Sequence, residues 1–261
     1  MLRLAGVSYR YPGASVDTLH AVELELRPGT VTGLVGPAEA GKSTLCLVAG
    51  GLAPRVVGGR LVGELAIDGA NTRGWPMHAL AEHVVTGLQD PAGQLSLIAE
   101  TVLGEVAFGP ANLGLPRDEV EARSRSALRQ VGIEDLAQRD PARLSGGQQQ
   151  LVTLACLLAM RPRYLVLDEP VAHLDARSAR LVLEAVRAAA DDGAGVLLAE
   201  QRTLALAEAC DSVAVIAAGN VVTQGEPRAV LSDPTVAAFG IEELPEARLR
   251  RLLGEAGLDP A

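Results

Sequence analysis

A glycine-bounded loop early in the chain contains the residue types that bind phosphate groups. The loop consists of Gly36, Pro37, Ala38, Glu39, Ala40, Gly41, Lys42, Ser43 and Thr44. Successive backbone N–H groups in such a loop point inward, and a helix that begins there adds unpaired N–H donors and partial positive charge. Lys42 would reach the outer phosphates of a nucleotide, and the Ser43 hydroxyl would ligate Mg²⁺. The spacing favours a polyphosphate site over its alternative, a glycine turn that opens an ordinary strand–helix unit.

An apolar run later in the chain ends in two carboxylates. Asp168 and Glu169 follow the run of residues 164–167 directly. Asp168 can hold Mg²⁺ directly or through water, and Glu169 can polarise the water that attacks a γ-phosphate. Gln89 follows another short apolar run, at the kind of strand end where ligands bind in open α/β sheets. The alternative is that these polar residues only mark strand ends that turn into solvent.

These residues need strands and helices in a definite order. Residues 30–35 are apolar and β-branched like a buried strand, and residues 43–49 can continue as a helix. Short and alternating apolar runs over residues 2–26 predict two or three antiparallel strands. Helical spacing over residues 101–107 and 117–131, with a loop at 108–116, predicts a helical insertion. The predicted fold class is α/β: a P-loop nucleotide-binding core with a mostly parallel sheet, an antiparallel β lead-in and a helical subdomain.

Composition excludes several other classes of protein. The 261 residues are 48% hydrophobic and 21% charged, which is typical of a globular chain with a large core. A net charge of -9 argues against a nucleic-acid surface. The longest apolar run, residues 151–160, is about half of a membrane span, and the first residues lack the apolar core of a signal peptide. Three widely spaced cysteines predict free thiols rather than a zinc or redox site.

A second candidate phosphate surface consists of Ser145, Gly146, Gly147 and Gln148, which follow Leu144. Ser145 is a natural N-cap for the apolar helix after it, and the glycines would expose N–H groups at that helix N-terminus. With the loop at 36–44, Gln89, and the later carboxylates in order, the run resembles the nucleotide-binding subunit of an ATP-binding cassette (ABC) transporter. The resemblance covers nearly the whole chain, and the Leu-Ser-Gly-Gly-Gln run is specific to that family.

The resemblance implies a domain organisation and an activity. It implies a cassette domain over residues 1–240, with a helical subdomain over about residues 90–160, and a short C-terminal helical tail over residues 241–261. It implies hydrolysis of ATP with Mg²⁺ by two chains that close head to tail. In that dimer, the Ser145–Gly146–Gly147–Gln148 surface of one chain would face the γ-phosphate held by the loop of the other chain.

Individual roles also follow from the resemblance. Tyr11 would stack on the adenine, with Tyr9 as the alternative and an ordinary turn tyrosine as a third possibility. Gln89 would contact Mg²⁺ or water and relay the state of the site to a membrane partner. Asp175 would lie at the dimer interface, and it would also cap the helix that starts near Ala176. His173 is predicted to be an incidental surface residue.

Two stretches point to a subfamily. Residues 88–95 and 104–115 look like the ATPase components of energy-coupling factor transporters, which import vitamins and cobalt or nickel. Such modules pair two ATPases with an integral membrane coupling protein and a substrate-binding membrane protein. The resemblance therefore implies a peripheral protein on the cytoplasmic face of the cell membrane, with the coupling protein docked on the helical lobe and no nucleic-acid partner.

The chain departs from the family pattern at the phosphate site. The family usually has a histidine where Gln201 stands, and glutamine can donate a hydrogen bond but cannot carry imidazolium charge. Glu39 stands where the family commonly has glycine, and Ala38 where a polar residue is frequent. We expect slow hydrolysis at this chain's own site, in a heterodimer with a stronger second site; a homodimer is the alternative. A degenerate regulatory subunit that binds ATP and barely cleaves it remains an alternative function.

Overall fold

The computed structural model describes residues 1–90, 93–172 and 174–255. In chain order the strands are β1 (Leu2–Arg10), β2 (Leu19–Leu26), β3 (Val31–Val35), β4 (Arg60–Ile67), β5 (Ala70–Asn71), β6 (Val84–Gly87), β7 (Tyr164–Asp168), β8 (Gly195–Ala199), β9 (Ser212–Ala217) and β10 (Asn220–Gly225). The helices are α1 (Lys42–Ala49), α2 (Leu52–Arg55), α3 (Met77–Ala81), α4 (Val102–Asn112), α5 (Arg117–Gln130), α6 (Gly146–Ala159), α7 (Ala176–Asp191), α8 (Thr203–Ala209), α9 (Pro227–Leu231), α10 (Pro234–Ala237) and α11 (Pro245–Glu255).

The first sheet is antiparallel, with the strand order β2-β1-β4-β5. The two short strands predicted around residues 2–4 and 7–9 are one strand, β1, which pairs with both β2 and β4. The register shifts near Gly6, whose φ of 58° places it in the left-handed region, so a bulge separates the two halves. The antiparallel lead-in is confirmed, and residues 2–26 form two strands, the lower of the two predicted counts.

The second sheet has the order β10-β9-β3-β8-β7-β6. All neighbouring pairs from β9 to β6 are parallel, and β10 adds an antiparallel edge. Every residue of β3, β7 and β8 is buried, which explains why these strands are continuous apolar runs. Because the strands are parallel, the segments that follow β3, β6, β7 and β8 all leave the sheet at one edge.

Helices α4, α5 and α6 pack against one another in the chain between β6 and β7. The predicted loop at 108–116 is wrong in its first half, because α4 continues through Asn112 with Pro110 inside it. Pro110 is buried, and a Cβ added at Gly109 would lie 2.5 Å from Sδ of Met160, just beyond α6. The helix therefore continues through a residue that cannot donate a backbone hydrogen bond, at a place where it packs closely on the end of α6.

One hydrophobic core lies on each face of the parallel sheet. Ile241 and Leu244, in the predicted tail, belong to the core that contains the inner faces of α6 and α7. The division of the chain at residue 240 stays a prediction, and residues 256–261 lie outside the described residues. Within the described ranges, no helix is both long and apolar enough to cross a bilayer.

Candidate active site

An open cavity of ≈ 390 Å³ lies at the edge where the parallel strands end. It is lined by Thr18, Ala38, Glu39, Gly41, Lys42, Ser43, Thr44, Gln89, Glu169 and Gln201. The cavity therefore brings together the predicted phosphate loop and the three residues predicted to be catalytic, Gln89, Glu169 and Gln201, although the loop and Gln201 are separated by more than half of the chain. Thr18, at the start of β2, is a lining residue that the sequence patterns did not indicate.

The phosphate loop is shaped by two glycines. A Cβ at Gly36 would lie 2.2 Å from the carbonyl oxygen of Ile216, so only glycine fits there. Gly41 has a φ of 107° and is the N-cap of α1, which has no side-chain cap. Lys42 is buried, and its Nζ donates to the carbonyl oxygens of Gly36 at 2.9 Å and Pro37 at 3.1 Å. The N-terminus of α1 thus opens into the cavity beside a cation, which suits polyphosphate.

Glu39 occupies the loop in a strained conformation. Its φ is 62°, in the left-handed region where a side chain is disfavoured by about 1–2 kcal/mol. The side chain is exposed and contributes to the cavity lining, so its negative charge lies next to a site for anionic phosphates.

The carboxylate of Glu169 is held by two amides. Nε2 of Gln89 donates to its Oε2 at 3.1 Å, and Nε2 of Gln201 donates to its Oε1 at 2.6 Å. The backbone N–H of Glu169 donates to the carbonyl oxygen of Ala199 at 2.9 Å, which joins the loop after β7 to the end of β8. The carboxylate is therefore fixed in orientation, as a group that must accept a proton from water requires.

The residues beside Glu169 fit a magnesium ion. Asp168 is 3% exposed, and its Oδ1 has no hydrogen-bond partner among the described residues. Burial raises the pKa of Asp168, while the Ser43 hydroxyl and the Lys42 ammonium oppose the rise. A buried carboxylate oxygen without a donor, close to a hydroxyl, fits a hard cation that takes oxygen ligands. Gln89 lines the same cavity and could supply a further oxygen.

No cluster of three or more His, Cys, Asp or Glu side chains that could hold a metal occurs in the described part of the chain.

Tyr11 lies beside the phosphate loop. Its hydroxyl is 3.1 Å from Oγ1 of Thr44, and its ring meets that of Tyr9 edge-on with centroids 5.0 Å apart. Tyr9 is fully buried, and its hydroxyl donates to the carbonyl oxygen of Gly58 at 2.7 Å. The structure thus favours Tyr11 over Tyr9 as the ring available to a nucleobase, and stacking on adenine stays a prediction.

The second phosphate surface does not line this cavity. Ser145 caps α6 and forms a capping box, in which its backbone N–H donates to Oε1 of Gln148 at 3.1 Å and its Oγ accepts from the Gln148 N–H. Ser145 and Gly146 are exposed, and Gly147 lies close to Leu174. A helix N-terminus that is exposed and lies outside the lining of the chain's own cavity is what a site shared between two chains requires.

Asp175 caps α7, as the sequence predicted. Its Oδ1 accepts from the N–H of Ser178 at 2.7 Å, and the hydrogen bonds from Ser178 lower the pKa of Asp175. A position at a dimer interface stays a prediction. His173 lies outside the described residues.

Glu200 is a residue of this site that the sequence patterns did not single out. It follows β8, is 3% exposed, and accepts from the backbone N–H groups of Val171 at 3.1 Å and Gln201 at 3.3 Å. Burial raises the pKa of Glu200 to about 7; the Glu169 charge adds to the rise, while the two N–H bonds and Arg202 oppose it. The sequence did contain a signal for Glu200, because it is a carboxylate directly after the apolar run of β8, just as Glu169 directly follows β7.

Comparison with known proteins decides the family. The model of the ABC transporter family matches residues 19–172, more than half of the chain. The chain belongs to the ABC transporter family. Cassette domains of this family bind ATP with Mg²⁺ and hydrolyse it, so the predicted ATPase activity and both predicted cofactors are confirmed.

Two curated relatives show how far the likeness extends. A protein of Pyrococcus horikoshii, named as an ABC transporter ATP-binding protein, is 36% identical over 234 residues, which are 89% of this chain and 82% of that protein. A Streptomyces coelicolor protein with the same kind of name is 38% identical over 234 residues, again 89% of this ABC ATPase but only 41% of the longer relative.

Solved structures share the fold. The cbiO1 protein of Clostridium perfringens, part of the ABC transporter complex cbiONQ, has a TM-score of 0.78 and 28% identity, covering 96% of this chain and 98% of that one. The ATP-binding cassette MJ0796, a dimer in a post-hydrolysis state with ADP and Pi, has a TM-score of 0.76 and 22% identity, covering 87% and 99%. The predicted fold class is confirmed.

Replacing Glu39 tests the strained loop. Glu39→Gly removes the cost of the left-handed conformation, but glycine also increases the conformational entropy of the unfolded chain. The first effect is the larger, so we expect a net rise of about 0.5–1 kcal/mol in the free energy of unfolding. We also expect MgATP to bind about 3-fold more tightly, because a negative charge leaves the loop. Glu39→Gln is the matched control and should improve binding without the gain in stability. Equal stability changes in both variants, measured by urea unfolding, would contradict the strain argument.

Glu200 should make the stability of the fold depend on pH. Since its pKa in the folded state is about 7 against an ordinary 4.5, its stabilising effect is complete below pH 4.5 and is lost as the pH rises through 7. Relative to Glu200→Gln, the wild type should lose up to about 3 kcal/mol of unfolding free energy between about pH 5 and pH 8. Parallel stability curves for the two proteins over this range would show that Glu200 titrates normally.

Proposed function

We propose that this chain is the ATP-hydrolysing subunit of an importer of the energy-coupling factor type, for a vitamin or a transition metal. The observation that carries the ATPase role is the cavity in which the phosphate loop meets the oriented carboxylate of Glu169. The likeness to cbiO1, which is part of the cbiONQ complex, supports the importer type over nearly the full length of both chains. The proposed location is the cytoplasmic face of the cell membrane, as a peripheral subunit.

Each residue of the cavity has a proposed task. The backbone of residues 36–44 and the Lys42 ammonium bind the phosphates. Ser43, Asp168 and Gln89 would hold Mg²⁺, which would neutralise charge on the phosphates. Glu169 accepts a proton from the attacking water. The amides of Gln89 and Gln201 donate hydrogen bonds to its carboxylate and fix the orientation of that group.

The proposed active unit is a head-to-tail dimer of cassettes. Ser145 and Gly146 are exposed at the N-terminus of α6 and are absent from the lining of the chain's own cavity, as far as the described residues define it. This surface can therefore bind the γ-phosphate held by a second cassette, and Asp175 lies on the segment after Glu169 that would meet the same partner.

An apolar surface on the helical part supports a membrane partner. Leu97, Ile98 and Phe108 are exposed there. The buried carboxylate of Glu105 fixes the segment, because it accepts from the Ser96 N–H, the Ser96 hydroxyl and the Leu97 N–H. This segment follows Gln89, so a coupling protein docked on it would be linked to the cavity. The proposed membrane partners are this coupling protein and a substrate-binding protein.

Gln201 favours an asymmetric heterodimer. The amide nitrogen of Gln201 donates a hydrogen bond to Glu169, and the Gln201 side chain has no titratable proton that it could transfer to a phosphate oxygen. We therefore propose that this chain's own site is the slower of two. The second candidate function, a regulatory subunit with little hydrolysis, is favoured by the same residue and opposed by the intact geometry of Glu169.

Inactivating one site at a time tests the asymmetry. Glu169→Gln in this chain should lower the ATPase turnover of the assembled complex less than the matching change in the second cassette, because the stronger site carries more of the turnover. Equal losses would rule out a weaker site here. No loss from the change in this chain would support the regulatory alternative.

Isolation from native membranes tests the importer type. The full chain, tagged and purified in mild detergent, should bring with it a second cassette, one coupling protein and one small substrate-binding membrane protein. Replacing both exposed residues Leu97 and Ile98 by Ser should release the membrane proteins but not the second cassette, because the apolar contact is lost. Retention of all partners by this variant would place the docking surface elsewhere.

A further inference from the structure

The carboxylate of Glu200 lies between the two loops that meet in the cavity. One oxygen accepts from the N–H of Val171, two residues after Glu169, at 3.1 Å. The other accepts from the N–H of Gln201 at 3.3 Å. The side chains of Glu169 and Gln201 in turn form the 2.6 Å hydrogen bond. The loops after β7 and β8 are therefore joined in two ways: the Glu200 carboxylate accepts from a backbone N–H of each loop, and the side chains of Gln201 and Glu169 form a hydrogen bond.

Glu200 is itself fixed and has no cation as a direct partner. Its backbone N–H donates to the carbonyl oxygen of Leu34 at 3.0 Å, so it is anchored to the end of β3. Among the described residues no Lys or Arg forms an ion pair with it. The charged or titratable groups that face it are Glu169 from the loop after β7, Arg202 before α8, and the Cys210 thiol after α8. Its role is therefore to accept backbone hydrogen bonds rather than to balance a charge.

We propose that Glu200 is a positioning residue for ATP hydrolysis. It holds the backbone at Val171 and Gln201 at the spacing that lets the Gln201 amide reach Glu169, without touching nucleotide itself. The same bond anchors Val171, which precedes Asp175 by four residues. This inference rests on the catalytic assignment of Glu169 in the proposed function.

The variant Glu200→Gln tests whether the Glu200 carboxylate acts through its hydrogen bonds or only by filling space. Glutamine has nearly the same shape as glutamate, but its amide nitrogen is a donor and would oppose one of the two N–H groups. Asp211→Asn is a control for the loss of a carboxylate that accepts a backbone N–H elsewhere in the fold, and it also removes an ion pair with Arg187. Asp211 also accepts a backbone N–H, that of Val31 at 2.7 Å, at the opposite end of the same sheet.

Hydrogen exchange of the full chain tests the contacts directly. In Glu200→Gln, the amides of Val171 and Gln201 should exchange about 10-fold faster, because one acceptor is lost and local opening becomes easier. Asp211→Asn should leave both amides unchanged. Unchanged exchange at both positions in Glu200→Gln would overturn the proposal, and this result does not depend on which residue is catalytic.

Steady-state kinetics of the assembled complex tests the consequence. In a complex whose second cassette carries the matching Glu→Gln change, so that this chain's site supplies the turnover, Glu200→Gln should lower kcat by about 10-fold and change KM for ATP by less than about 2-fold, since misplacing a catalytic group slows chemistry while the phosphate loop still binds. Asp211→Asn should change neither. A raised KM with normal kcat in Glu200→Gln would overturn the proposal that Glu200 is a positioning residue. An equal loss of kcat in Glu200→Gln and Asp211→Asn would overturn it as well. Glu169→Gln with full turnover would instead refute the catalytic assignment.

Discussion

Burial of the parallel strands on both faces is the constraint on which the site depends. Every residue of β3, β7 and β8 is buried, so none of these strands can present a polar side chain to solvent along its length. The first positions open to water lie in the loops that follow these strands. Because the strands are parallel, these positions gather at one edge. The phosphate loop, Glu169 and Gln201 therefore meet there, although they lie far apart in the chain.

The same edge concentrates backbone strain. Glu39 and Glu169 both have positive φ values, 62° and 51°. At Glu169 the conformation is supported by the hydrogen bond from its N–H to Ala199, which ties the loop to the neighbouring strand. Residues in sparsely populated conformations persist only where surrounding structure determines them, and they cluster at functional sites. Glu39 is exposed and lacks comparable burial, so its strain is the less well compensated of the two.

Much of this arrangement could be predicted, because it follows from local patterns. The loop at 36–44 and the carboxylates after residue 167 are contiguous motifs, and the buried strands are contiguous apolar runs. Features that depend on packing could not be predicted. Helix α4 continues past Pro110, which is buried where α4 packs on α6, and β1 is one strand because a bulge at Gly6 keeps both halves paired. Likewise, Glu200 gains its partners only when two distant loops meet.

The charge balance of the cavity favours nucleotide that carries a divalent cation. Glu39, Asp168 and Glu169 lie in or beside it, and Lys42 is the cation among the described lining residues. A free nucleotide triphosphate would add its negative charges to an edge that is already acidic. The raised pKa of Asp168 reflects the same crowding, since burial and the Glu169 charge both disfavour its ionised form. A divalent cation offsets both the carboxylates and the phosphates, and the Oδ1 atom of Asp168 that lacks a donor is placed to receive it. The positive end of α1 and Lys42 then need only orient the phosphates.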